Sequence, residues 1–280
     1  RIIAVMNEPM PDGGTIATYQ DVTDVETNAA TMLEYTQKLE RSNRELIDFA
    51  YVASHDLQEP LRKIEAFGDR LMKKYSSMLP EDGRMFVDRM QTAAERMRRL
   101  INDLLSYSRV TTNAKPFSWI SLKDVLTDVV SDLQIRIEES NAKVEFGELP
   151  KLEADVTQLH QLLQNLIANA LKFRKPDVAP VVRVDAKIVQ DPGDDFGSSV
   201  VITIADNGIG FENQFKEQIF TIFQRLHSRN EYEGTGIGLA TCRKIVERHG
   251  GTITADGRPG EGSTFEIRIP QRNTAKEKVA

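Results

Sequence analysis

Apolar or small residues recur at alternating steps of four and three from Val25, through Ala29, Met32, Thr36, Leu39, Asn43, Leu46, Ala50, Ala53, Leu57, Pro60, Ile64 and Phe67 to Leu71. This heptad seam is sustained for about six repeats and predicts one helix from about Thr23 to Ser76, roughly 80 Å long at about 1.5 Å per residue. The stretch SSMLPEDG ends it with Pro80 and Gly83. A second helix, from about Arg84 to Arg109, carries Phe86, Met90, Ala93, Met97, Leu100, Leu104 and Tyr107 at the same steps. Two seamed helices joined by a short turn form a hairpin. One hairpin cannot bury both sides of its seam, and polar Asn43 at an a position sets register between paired chains. The expectation is a homodimer whose hairpins form a four-helix bundle.

The seam also orients a histidine. With Ala53 and Leu57 as seam positions, His55 falls at f, the outermost point of the helix, and is followed by Asp56. A lone histidine there reads as a solvated surface residue; a neighbouring carboxylate and a proline five residues on give this one more to do. Pro60 removes the backbone bond its N–H would make to the Asp56 carbonyl, which predicts a local bend or loosening beside the histidine.

The pattern changes after the linker at residues 113–118. Residues 119–270 alternate helical stretches (SLKDVLTDVVSDLQIRIEE, DVTQLHQLLQNLIANALKF, GIGLATCRKIVERHG) with strand-like ones (KVEFGEL, VVRVDAKIV, SVVITIAD, GTITAD, STFEIRIP). That alternation predicts an α+β two-layer sandwich, helices against one mixed sheet. Residues 1–22 hold two short β-type pieces around the turn signal PMPDGG, too few to close a core, and residues 271–280 read as a charged tail or linker.

Within the sandwich, Asn165, Asn169 and Lys172 lie at i, i+4 and i+7 on one helix face, while Leu162, Leu163, Leu166, Ile167 and Ala170 supply the buried side. Two amide oxygens and an ammonium in a row suit a hard divalent cation and phosphate oxygens, although a plain polar face looks the same. The strand SVVITIAD ends in Asp206, a carboxylate able to accept a hydrogen bond from an adenine amino group, with Gly208 and Gly210 allowing close approach of a base. Gly234, Gly236 and Gly238 open a helix whose bare amides and positive dipole end can cradle phosphates. GRPGEGSTFEIRIP then offers the hydroxyl of Thr264 for the same base. The glycines come after the Asn helix and the Asp strand, the reverse of a dinucleotide-binding fold, and no P-loop is present.

Composition narrows the classes. At 280 residues the chain suffices for about two domains. A net charge of −6 argues against nucleic acid as a partner, and clustered Arg96, Arg98 and Arg99 flank Met97 and Leu100 as a solvated helix face. Cys242 is the single cysteine, so no internal disulfide forms. The absence of a membrane-length apolar run or signal peptide reads as a soluble, cytoplasmic stretch without membrane contact. A start at Arg1 suggests a piece of something longer, whose missing part could hold an anchor.

The motifs in this order resemble those of sensor histidine kinases of the PAS-linked, phytochrome-like type. FAYVASHDLQEPLR resembles the histidine box, QNLIANALKF the asparagine box, ADNGIGF and GTGIGLA the two glycine boxes, and IFTIFQRLHS the phenylalanine box. DGGTIATYQDVTDVE resembles the end of a PAS sensor domain, where an Asp-x-Thr element leads into a signalling helix. The resemblance implies a PAS-like remnant at 1–22, a coiled-coil signalling helix at 23–46, a dimerisation and phosphotransfer hairpin at 47–112, and at 119–270 a catalytic domain of the gyrase, Hsp90, histidine kinase and MutL (GHKL, Bergerat) ATP-binding fold.

By residue, it implies that His55 takes the γ-phosphoryl of ATP on Nε2, with Asp56 as orienter and general base. Asn169, helped by Asn165, would hold Mg²⁺, with Lys172 on the phosphates. Asp206 and Thr264 would read adenine, with Gly208 and Gly210 shaping the pocket. Gly234, Gly236 and Gly238 would close a lid spanning about 224–237, and Arg225 would stabilise the transferred phosphoryl, which then passes to a response-regulator receiver domain. Family members with phosphatase activity usually carry Thr or Asn four residues after the histidine; Glu59 here implies weak phosphatase activity. Two other readings stand beside this one: a dimeric scaffold that no longer turns over ATP, and a superfamily ATPase without a phosphohistidine.

Overall fold

The computed structural model describes all residues except 11, 12, 14, 113, 191–196, 227–230 and 273–280, and within β1 and α1 the side chains of 8, 9, 26, 29, 30, 33, 36, 37, 39–53 and 55 lie outside the description. The chain divides into two compact units, residues 1–59 and 60–280.

In the first unit, strands β1 (Ile3–Pro9) and β2 (Thr15–Asp21) pair antiparallel from Ile3 opposite Asp21 to Pro9 opposite Thr15. Ile3, Val5, Met6, Ile16 and Tyr19 are all exposed. The Asp-x-Thr element ties this hairpin to the start of helix α1 (Thr23–Tyr75). Asp21 Oδ1 accepts from Thr23 N at 3.1 Å and from its hydroxyl at 2.6 Å, while Thr23 Oγ1 accepts from Ile2 N at 2.7 Å. These donors hold the Asp21 carboxyl below its usual range. Helix α1 continues unbroken through Pro60, and the side chains at seam positions 29, 36, 39, 43, 46, 50 and 53, Asn43 among them, lie outside the described residues.

The second unit opens with the end of α1, turning at 76–80 into α2 (Glu81–Thr112), which starts three residues earlier and ends three later than the seam predicts. The two helices meet at Gly68, where an added Cβ would lie 2.8 Å from Gln91, and through Arg98 to Glu65 at 3.0 Å. Leu61, Val87 and Ala94 are buried, whereas the predicted seam residues Ile64, Phe67, Phe86 and Met90 are exposed, the last two by 58% and 60%. One chain therefore packs this part of its hairpin through an offset row and leaves Ile64, Phe67, Phe86 and Met90 bare, while Leu100, Leu104 and Tyr107 further along the seam are half-buried.

After the hairpin come β3 (Ser118–Ser121), α3 (Leu122–Asp132), α4 (Gln134–Glu139), β4 (Lys143–Phe146), β5 (Lys151–Ala154), α5 (Val156–Lys172), β6 (Val181–Val189), β7 (Ser199–Asp206), α6 (Gly238–Arg248), β8 (Thr252–Arg258) and β9 (Gly262–Pro270). The five-stranded sheet has the order β4-β6-β7-β9-β8, parallel only between β4 and β6. Leu122, Leu126 and Val129 of α3, Leu159, Leu162, Leu163 and Leu166 of α5, and Ile245 and Val246 of α6 enter one core with Val182, Ile202, Ile204 and Ile267 of the sheet. The two-layer sandwich is as expected. Two details differ: the stretch read as one helix breaks at Leu133 into α3 and α4, and SWIS, partly read as linker, pairs with KLEA as a second small sheet.

The linker is fastened down. Asp155 caps α5 by accepting from Thr157 N at 3.0 Å, accepts from Lys115 N at 2.8 Å and pairs with Arg248 at 3.2 Å. His249, fully buried, accepts the Asp155 N–H on Nε2 at 3.2 Å and lies 2.7 Å from the Ile245 carbonyl through Nδ1, with the Phe117 ring 4.7 Å away. Burial holds its pKa below the ordinary 6.5. The only acceptor nitrogen is committed to the Asp155 amide, so protonation would set two N–H groups against each other. The folded chain keeps the ring neutral while the unfolded chain protonates near 6.5, so this contribution is complete above that pH and shrinks as acid is added. Melting temperature should fall between pH 7 and 5, and fall less steeply in His249→Gln; equal slopes by calorimetry would rule out this residue as the cause.

Candidate nucleotide site

Helix α5 faces two ways. Its leucines fill the core, and the pitch of the helix then turns Asn165, Asn169 and Lys172 toward a cavity of about 320 Å³ within the second unit. Asn165 Nδ2 reaches the Gly238 carbonyl at 3.5 Å, the first residue of α6. Lys172 Nζ lies 4.0 Å from the centre of the Phe173 ring, and burial, reinforced by the Arg225 charge, lowers its pKa to about 8.

Asp206 ends β7 at the other side of the cavity. Its Oδ1 accepts from Gly208 N at 2.8 Å and Ser263 N at 3.3 Å, while burial raises the carboxyl pKa against those donors. Gly210 lines the wall with φ +65°, and a Cβ there would sit 2.0 Å from the Arg258 carbonyl oxygen, so no larger residue fits. Gly208 shapes the site by holding Asp206 and is not itself in the wall. Ala170, Phe173, Phe211, Ile219, Leu226, Leu239 and Phe265 make the remainder apolar.

The glycine turn before α6 closes the cavity. Gly234, Gly236 and Gly238 all line it. Gly236 has φ +78° and accepts from Phe223 N at 3.0 Å; a side chain there would overlap the Phe223 and Gln224 backbone. Phe223 itself is held at φ +66°, an unfavourable conformation for a large residue. Arg225 Nη1 donates to the Gly234 carbonyl at 2.7 Å and Nη2 to the Tyr232 carbonyl, so this arginine braces the turn it lines. Within the expected lid at 224–237, residues 227–230 lie outside the description.

Thr264 is corrected. On β9, Ser263 pairs with Asp206 and Thr264 with Ala205. Paired residues share a side and successive residues alternate, so Ser263 and Phe265 join the wall while Thr264 faces away. Counting back in twos from the core residues Ile267 and Phe265 would have found Ser263. The wall holds further residues that the motifs do not name, among them Tyr232, whose ring centre lies 5.0 Å from that of Phe173, and Arg99 and Asp103, which come from α2. Their sequence neighbourhood reads only as a charged helix face. His55 and Asp56 belong to the first unit; the His55 side chain lies outside the described residues, and Asp56 is exposed.

A carboxylate and serine at one end, amides and a lysine at the other, and a glycine turn between describe a pocket for an adenine nucleotide. Residues 154–273 match the family of histidine kinase-, DNA gyrase B-, and HSP90-like ATPases, and residues 45–113 match the His Kinase A phospho-acceptor domain. The phytochrome-like protein Cph1 of Synechocystis sp. is 44% identical over 88% of this chain and 32% of its own length. Cyanobacterial phytochrome A of Nostoc sp. is 42% identical over 89% of this chain and 32% of its own. The crystal structure of full-length ShkA in complex with AMPPNP shares the fold, with a TM-score of 0.60 at 24% identity over 80% of this chain and 45% of that one. The chain thus carries a phospho-acceptor segment of the His Kinase A family followed by a domain of the histidine kinase-, DNA gyrase B-, and HSP90-like ATPase family. It spans about a third of the length of the curated relatives it matches.

The register of β9 makes a direct prediction. Ser263→Ala should weaken AMPPNP binding about three- to tenfold, the loss of one hydrogen-bonding group. Thr264→Val should stay within about twofold of wild type. Calorimetric titration checks both, and the reverse order would contradict the side assignment.

Proposed function

We propose that this chain is the phosphotransfer core of a sensor histidine kinase, which phosphorylates His55 from ATP and passes the phosphoryl group to an aspartate of a response-regulator receiver domain. The supporting observation is the meeting of Asn165, Asn169 and Lys172 with Asp206, Ser263 and the glycine turn around one cavity, in a chain that also matches the phospho-acceptor family.

In this reading Asp206 accepts from the adenine amino group, and the apolar wall excludes water from the base. The amide oxygens of Asn165 and Asn169 suit Mg²⁺, which keeps much of its oxygen shell from water and phosphates; among the described residues no cluster of three acidic, histidine or cysteine side chains offers another metal site. Bound there, Mg²⁺ would neutralise phosphate charge. Lys172 and the amides at the start of α6 take the phosphate oxygens. His55 Nε2 forms the new bond to the γ-phosphorus as the bond to the β–γ bridging oxygen breaks and ADP leaves. The proton on Nδ1 passes to Asp56, and Arg225 balances charge on the transferred group. Such catalysis is positioning plus electrostatic stabilisation.

Dimerisation is supported by the bare seam: Leu57, Ile64, Phe67, Phe86 and Met90 are exposed in one chain, and a second hairpin would cover them. Among the described residues no helix is long and apolar enough to cross a membrane, and a cytoplasmic location is part of the proposal. The PAS-like origin of residues 1–22 rests on the Asp21–Thr23 junction between hairpin and helix.

With γ-labelled ATP, wild type should acquire base-stable, acid-labile label that His55→Gln lacks, while Asp206→Asn loses both label and AMPPNP binding. Label retained in His55→Gln would refute the assignment. Glu59 should leave dephosphorylation of a phosphorylated receiver slow, and Glu59→Thr should speed it about tenfold or more, toward the 10²–10⁴-fold range typical of a positioned polar group; fast release by wild type would contradict this.

A further inference from the structure

We propose that helix α2 belongs to the nucleotide site and latches it in a form that a triphosphate must undo. The inference rests on the nucleotide reading above and concerns how that site is regulated.

Arg99, Asp103 and Ser106 line the cavity from α2, at the i, i+4, i+7 spacing that Asn165, Asn169 and Lys172 use from α5. Two of them grip the glycine turn. The Thr235 hydroxyl donates to Asp103 Oδ2 at 2.6 Å, and Arg99 Nη1 pairs with Glu233 at 2.7 Å. The third, Ser106, accepts from Gln161 of α5 at 2.7 Å. No other helix touches the turn on both sides of Gly234 through side chains among the bonds described.

The chemistry of the Asp103 contact gives the latch its direction. Thr235 Oγ1 also receives the Ile237 N–H at 3.4 Å, immediately before α6 begins at Gly238. Asp103 is thus linked through one hydroxyl to the positive end of the α6 dipole, where a phosphate would be attracted. The two arginines at the turn are already engaged: Arg225 with the Gly234 and Tyr232 carbonyls, and Arg99 of α2 with Glu233 and Glu95. A triphosphate entering this wall meets Asp103 and Glu233 as like charges and competes with them for the same donors. Coupling is reciprocal, so what α2 takes from nucleotide affinity, nucleotide takes from the hold of α2 on the turn.

The test uses the full 280-residue chain with Asp103→Asn, which keeps side-chain volume, beside Asp103→Ala. Asp88→Asn, an exposed carboxylate on α2 outside the cavity, controls for lost charge. Without nucleotide, amide exchange over 231–237 should quicken about tenfold in the Asp103 variants, and AMPPNP with MgCl₂ should bind about fivefold more tightly. Unchanged exchange, unchanged or weaker binding, or an equal effect from Asp88→Asn overturns the latch. If wild type binds AMPPNP and Asp206→Asn does not, a null result in the Asp103 variants removes the latch alone. If wild type binds no AMPPNP, the nucleotide reading falls and the coupling falls with it.

Discussion

The packing of α5 is the constraint on which the site depends. Leu159, Leu162, Leu163, Leu166 and Ile167 are essentially without exposure, wedged between the sheet and the neighbouring helices. Each such side chain contributes about 2 kcal/mol on burial. A helix held on one face by that many contacts cannot rotate. Asn165, Asn169 and Lys172 are therefore aimed as rigidly as the leucines are buried, although they themselves sit in a polar wall. The start of the helix is equally fixed, because Asp155 caps it and is in turn held by Arg248, His249 and the Lys115 amide.

The opposite end of the cavity depends on strand register rather than helix pitch. Asp206 pairs with Ser263, and Gly208 and Ser263 both donate to its carboxylate. These donors partly offset the cost of burying a charge there, while burial still raises the pKa. Gly210 and Gly236 let backbone approach backbone where a Cβ would collide, so the two turns meet the helix end closely enough to enclose a small ligand. The hairpin is built on a different economy. It buries little within one chain and leaves its best apolar row to solvent, and α2 serves that hairpin while its far end forms part of the cavity wall.

Much of this was legible along the chain. The 3.6-residue and 2-residue periods named the helices and the long strands, and the break at Pro80 located the hairpin turn, while Gly83 lies inside α2. Asn165, Asn169, Lys172, Asp206, Gly210, Gly234, Gly236 and Gly238 line one cavity, with Gly208 behind Asp206. The short strands Ser118–Ser121 and Lys151–Ala154 are defined by pairing with each other, a contact that no local pattern announces. Ser263 and Thr264 are adjacent hydroxyl residues of like chemistry, and only the pairing partner tells which faces in.

What the sequence determined by itself is therefore everything set by local periodicity: which segments are helix or strand, which helix face is apolar, and which polar residues travel together. What the tertiary structure decided is everything set by contact between segments distant in the chain. Asp103 meets Thr235 across 132 positions and Arg99 meets Glu233 across 134. No spacing rule spans such a gap, because those neighbours are chosen by how the helix packs against the domain that follows it.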